Sequence, residues 1–155
     1  MSSLAAHGLS IRLPPTWEGS IALLDLPPPA VNMPVLHATD QPLVMSRSTF
    51  AAELAARAGG TGTVVALVEF EPGLSGTELF RKRGLSLPIH EGDLHPDALQ
   101  IPRPFQAGRQ WFFTLSSRAF CLYVVLGTRP GLASRVRVLN EVLRSLEVQQ
   151  VGSAA

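Results

Sequence analysis

The sequence predicts an α+β fold, a single-domain three-layer sandwich in which a mainly antiparallel β-sheet is flanked by helices. Three observations carry that expectation. Segments 63–70 and 119–126 are apolar on both alternating faces at their centres, so each strand must be covered on two sides. Segments 109–116 and 119–126 are joined by a tight Ser-Ser-Arg connection and read as a long hairpin. Leu132, Val136, Leu139, Leu143 and Leu146, at steps of four, three, four and three, form the continuous apolar stripe of an amphipathic helix.

The chain of 155 residues is 46% hydrophobic and 16% charged, which excludes disorder over most of its length. One domain spanning residues 1–151 is expected, with a disordered tail over 152–155. Thirteen basic and twelve acidic residues leave a net charge of +1, a balance that steers the chain toward neither nucleic acid nor an anionic membrane. Twelve of the thirteen cations are Arg and one, Lys82, is Lys, a bias typical of high-GC bacterial codon usage. The single Cys121 can form no internal disulfide. The N-terminus shows no secretory pattern, and no apolar run approaches the roughly 20 residues of a membrane span. A cytoplasmic protein is the expectation.

Along the chain, Leu9, Ile11 and Leu13 alternate with Ser10 and Arg12 as in a half-buried strand, which Pro14 and Pro15 end. Residues 20–24 read as its hairpin partner, Pro27–Pro29 as a stiff connector, and 35–39 as a third strand. A helix to about Arg57 is expected, capped by Ser48 or Thr49, with Phe50, Leu54 and Ala58 on one face and a stop at Gly59-Gly60. The strand over 63–70 follows, then a helical turn over 77–83 closing at Gly84, a strand over 86–89, and a loop from His90 to Gly108. In the hairpin, Trp111, Phe113 and Leu115 share one face and Gln110, Phe112 and Thr114 the other. Thr128 and Pro130 precede the long helix, whose Arg135, Arg137, Glu141 and Arg144 are left for solvent. A short strand over 147–151 closes the chain.

Few residues look like chemistry. The strongest metal candidate is "HEGDLHPD", in which His90, Asp93 and His95 are suitable ligands, with His37 or Asp40 as further donors if folding brings them in. The spacing matches no metal signature, and a water-solvated loop is the competing reading. Cys121 lies in an apolar strand, where a free thiol is ordinarily inert. "AGGTGTVV" lacks Gly-Lys-Ser/Thr and precedes a strand, so it has no helix N-terminus to receive a phosphate. No Gly-x-Ser-x-Gly elbow occurs. "RKRG", with Arg81, Lys82 and Arg83, either meets an anionic partner or complements a helix C-terminus. Phe112 is either covered by a helix or part of a binding patch. The Pro14-Pro15-Thr16-Trp17 corner either walls a site or ends a strand and seals the core.

"GLSIRLPPTWEG" resembles the first strand and Pro-x-x-Trp corner of PsbP-like proteins, and "RAFCLYVVLGTRPGLASRVRVLNEVLRSLEV" is similar to that family's closing strand, long helix and Ser-Leu ending. The resemblance implies an antiparallel sheet between helices, a fold shared with a Ran-binding nuclear import factor, photosystem accessory proteins, bacterial lipoproteins and secretion-effector chaperones. It carries no catalytic motif. The expected function is therefore non-catalytic: a protein-interaction module, such as an adaptor or chaperone of a bacterial secretion or assembly system, needing no cofactor. Its partner would be a protein, with homodimerisation compatible. The alternative is a small-ligand or metal-dependent protein using the His90–Asp97 loop.

Overall fold

A computed structural model of the chain describes residues 1–23, 33–44 and 48–150. Among them lie eight strands and two helices in two antiparallel sheets, an α+β fold of sheet flanked by helices. The smaller sheet has the order β1 (Ser2–Ala6), β2 (Leu9–Leu13), β8 (Glu147–Val148). The larger has the order β3 (Glu18–Leu23), β4 (Pro34–Thr39), β5 (Thr63–Phe70), β7 (Arg118–Gly127), β6 (Gln106–Leu115). The helices are α1 (Ala52–Ala58), before β5, and α2 (Leu132–Arg144), after β7.

The large sheet is covered on both faces, as its doubly apolar strands require. On one face, Val65 and Leu67 of β5 join Phe120, Leu122, Val124 and Leu126 of β7 in a core with α2 and β2. On the other, Val64, Ala66, Tyr123 and Val125 pack against Leu54, Ala55 and Ala58 of α1. The two sets alternate along each strand because successive side chains leave opposite faces. Gly127 lets β7 end against the chain at Gly60, where a Cβ would lie 2.1 Å from backbone.

Several local expectations are corrected. The partner of β2 is β1, paired Leu4 to Ile11, while the strand at 18–23 pairs with β4. β1 carries little periodicity in "SSLAA" because only Leu4 of its side chains packs on the core. Trp17 is buried in that core, and its N–H donates to Pro14 O at 2.9 Å, so the corner forms a turn that seals the sheet–helix interior. α1 starts later than Ser48 or Thr49 suggest, because Ala51 adopts a left-handed φ of 58°. Phe50 stays outside the helix and meets Tyr123 edge-on at 5.9 Å.

No strand forms over 86–89. Ile89 instead exchanges both backbone hydrogen bonds with buried Asn140 of α2, donating to Oδ1 (2.7 Å) and accepting from Nδ2 (2.9 Å). The 77–83 segment holds only a single 3-10 turn, Glu78–Phe80. In the predicted loop over 90–108, two further 3-10 turns form and residues 106–108 join β6. α2 begins at Leu132 after Gly131, whose φ of 104° suits a residue without Cβ. Arg135, expected in solvent, is half-buried and donates to the carbonyls of Thr61, Gly127, Arg129 and Pro130, all at 2.8 Å. The expected strand over 147–151 ends at Val148, and the Pro27–Pro29 connector, Leu24, Val151 and the 152–155 tail lie outside the described residues.

Candidate functional site

The site grows from a segment that leaves the sheet after β5 and returns across the end of the β6–β7 hairpin. Phe80, fully buried, anchors it by packing on Phe70 (ring centroids 5.3 Å apart) and Phe112 (5.7 Å). Thr114 of β6 fixes it further. Its hydroxyl donates to Phe80 O (2.6 Å) and accepts from Gly76 N (2.9 Å). Its backbone N–H donates to Lys82 O (2.8 Å), and its carbonyl accepts from Gly84 N (2.9 Å). Arg81, Lys82 and Arg83 are thereby held by main-chain bonds beside the last turn of the sheet edge, with their side chains exposed.

Between this segment and the hairpin tip lies a cleft of about 580 Å³. Arg81 and Arg83 line it with the hydroxyl-bearing Ser75, Thr114, Ser116 and Ser117, and no acidic residue is among its lining. Ser116 and Ser117 both adopt positive φ, 52° and 62°, the geometry of a tight hairpin turn. Ser116 Oγ donates to Val148 O at 2.8 Å, tying the tip to β8. Among the described residues, ion pairs join Arg109 to Asp93 and Arg118 to Glu69; none involves Arg81, Lys82 or Arg83. A macrodipole does not account for the three cations, because a three-residue 3-10 turn is too short to sum one. The cleft can hold an anionic group by the charge of Arg81 and Arg83 and by hydroxyl hydrogen bonds from Ser75 and Ser117, since the hydroxyl protons of Thr114 and Ser116 go to Phe80 O and Val148 O. Arg forks bind carboxylate or phosphate bidentately.

Phe112 falls between its two expected settings. It is half-buried, in a trio with Phe70 and Phe80, and neither α1 nor α2 covers it. In the same crossing segment, Leu74 and Leu79 expose apolar surface.

The His90–Asp97 loop lies at the other end of the same strand. Asp93 Oδ2 accepts from His90 N (2.9 Å), closing the 3-10 turn Glu91–Asp93, while Oδ1 faces Arg109 at 3.6 Å. His95 pairs its backbone with Gly108, N to O at 3.0 Å and O to N at 3.1 Å. Among the described residues, no group of three or more His, Cys, Asp or Glu side chains converges to hold a metal. His37 and Asp40 are used elsewhere. Buried His37 bonds Thr49 O through Nε2 at 2.8 Å, and Asp40 Oδ1 accepts from Thr63 N at 2.8 Å. Burial holds the His37 pKa below the ordinary imidazole value, against the Thr49 bond and the Glu53 charge. Cys121 is fully buried, and burial pushes its thiol up to about 12, far from a nucleophile's range.

The basic cluster was visible in sequence; the residues that complete its cleft were not. Ser75, Thr114, Ser116 and Ser117 carry no spacing signal, because they meet only once Phe80 pins the crossing segment. Comparison with protein-family models, with curated proteins and with solved structures finds no match. Among the described residues, no helix is long and apolar enough to cross a membrane.

Proposed function

We propose that this protein is a non-catalytic interaction module whose cleft at Arg81 and Arg83 receives an acidic segment of a protein partner. One observation carries the reading: Arg81 and Arg83, without an acidic partner among the described residues, line a cleft that holds hydroxyls and no acid. Leu74 and Leu79 of the same segment supply apolar surface of the kind a partner covers. The resemblance to PsbP-like chains would make such a module an adaptor or chaperone of a secretion or assembly system acting in the cytoplasm. The metal-dependent alternative gains no support from the His90–Asp97 loop, where Asp93 bonds the chain's own backbone and Arg109.

Co-purification from native lysate, run in parallel with the wild type and with Arg81→Glu/Arg83→Glu, tests the reading. A stoichiometric protein that accompanies the wild type and is lost from the variant supports it. A partner retained by the variant removes the cleft from the interface, and the absence of any stoichiometric partner overturns the interaction reading itself.

A further inference from the structure

β6 is an edge strand of the large sheet, and only part of its outer edge is covered. Its even-numbered residues turn their backbone groups outward, as Gly108 shows by pairing with His95 and Thr114 by pairing with Lys82 and Gly84. Alternation along an antiparallel ladder gives Gln110 and Phe112 the same outward orientation. No other segment hydrogen-bonds to either on that side among the described residues. Two N–H donors and two carbonyl acceptors therefore stand in a window between two plugs. The window runs from Gly108 to Thr114, six residue steps and about 20 Å at the rise of a strand. Gln110, Trp111 and Phe112 are only half-buried, so solvent reaches the residues of the window.

Resting on the interaction-module reading, we infer that the partner binds by strand addition. A short extended segment, acidic at one end, pairs its backbone with Gln110 and Phe112 and places its carboxylates at Arg81 and Arg83. Main-chain bonds supply the pairing and alternate side chains the selectivity. On one face the added strand runs past Phe112 and its trio with Phe70 and Phe80, which favours an apolar residue there. On the other it passes Trp111, which Arg109 overlies at 5.5 Å. The two ends of the window differ in charge, with Arg81, Lys82 and Arg83 near Thr114, and Glu91, Asp93 and Asp97 against the single cation Arg109, paired with Asp93, near Gly108. That polarity fixes the direction of the added strand. A second copy of this chain does not fit, because its own β6 carries the same plugs and would place its ten-residue strand across them.

Amide hydrogen exchange and a peptide selection test the inference together. In the free protein, the amides of Gln110 and Phe112 exchange at least about tenfold faster than those of Trp111 and Phe113, which face β7. A displayed library of random linear octapeptides, selected on the full chain, enriches alternating apolar sequences with Asp or Glu at one end. The strongest, synthesised and added at saturation, slows exchange at Gln110 and Phe112 by about tenfold or more. Gln110→Pro, which removes an outward N–H while sparing the ladder to β7, weakens its binding about tenfold. Exchange on the unmodified chain keeps the test independent of whether that variant folds.

Slow exchange at both amides in the free protein, or no enriched peptide, overturns strand addition. So does self-association through this edge. A peptide that depends on Arg81 and Arg83 yet leaves both amides fast also overturns it, while leaving the basic cleft as the docking site.

Discussion

β6 and β7 are the two arms of one hairpin, ten residues each, and they are used differently. Every residue of β7 is buried, because β5 and β6 flank it and the two cores press on its faces. β6 is half-buried from Arg109 to Phe112 and has a neighbour strand on one side only. Adjacent strands of equal length thus divide the work: β7, the more apolar, holds the fold, and β6 offers backbone and side chains to the surface. Stability should be sensitive to substitution along β7 and tolerant along the outer edge of β6.

The largest effect is expected at the start of β7. Buried Arg118 donates through Nε to Glu69 Oε2 at 2.9 Å and through Nη2 to Glu69 Oε1. Its remaining donors reach the carbonyls of His7 (2.9 Å), Gln149 (3.1 Å) and Gly8 (3.3 Å), stapling the small sheet to the large one. Arg118→Ala leaves the Glu69 carboxylate buried without its partner and three carbonyls without a donor. The expected cost is about 3–5 kcal/mol, read by denaturant unfolding. A loss below about 1 kcal/mol would mean that water reaches Glu69, and the contrast between the strands would shrink accordingly.

Neighbouring phenylalanines give the next test within β6 itself. Phe113 points into the α2-side core, fully buried and stacked on Phe120 at 5.7 Å. Phe113→Ala should cost about 3–5 kcal/mol, as truncation of a core aromatic does. Phe112 is only half-buried on the opposite face, so Phe112→Ala should cost no more than about half as much. Equal losses in thermal or denaturant unfolding would show that the Phe70–Phe80–Phe112 trio is core rather than accessible surface.

How much of this contrast was legible depends on the kind of signal each feature sends. Alternation in "QWFFTL" and "FCLYVVL" assigns every side chain of the hairpin to its face, since that period is a property of the strand alone. The strand neighbours are a property of topology. Residues 9–13 carry the same pattern whether they pair with β1 or β3, and the sequence favoured the shorter connection at the Pro-Pro-Thr-Trp corner. Arg118 looked like a turn residue because its buried acceptors lie 49 and 110 positions away, beyond any local pattern. The cations of "RKRG" were legible as charge. That they flank a cleft depends on Phe80 and Thr114 holding the crossing segment in place.

The smallest effect on stability is expected where the proposed function resides. Arg81 and Arg83 are exposed and engage no acidic partner among the described residues, and their segment is held by backbone bonds that a side-chain change does not touch. Arg81→Ala and Arg83→Ala should each change unfolding stability by less than about 0.5 kcal/mol, the range of ordinary surface substitutions. A loss of 1 kcal/mol or more, beyond about twice that range, would assign these side chains to holding the crossing segment down. Near-zero stability change together with lost partner binding is the combination that separates a recognition surface from a structural one. It would place the division of labour where the hairpin itself draws it, between a buried strand and its exposed neighbour.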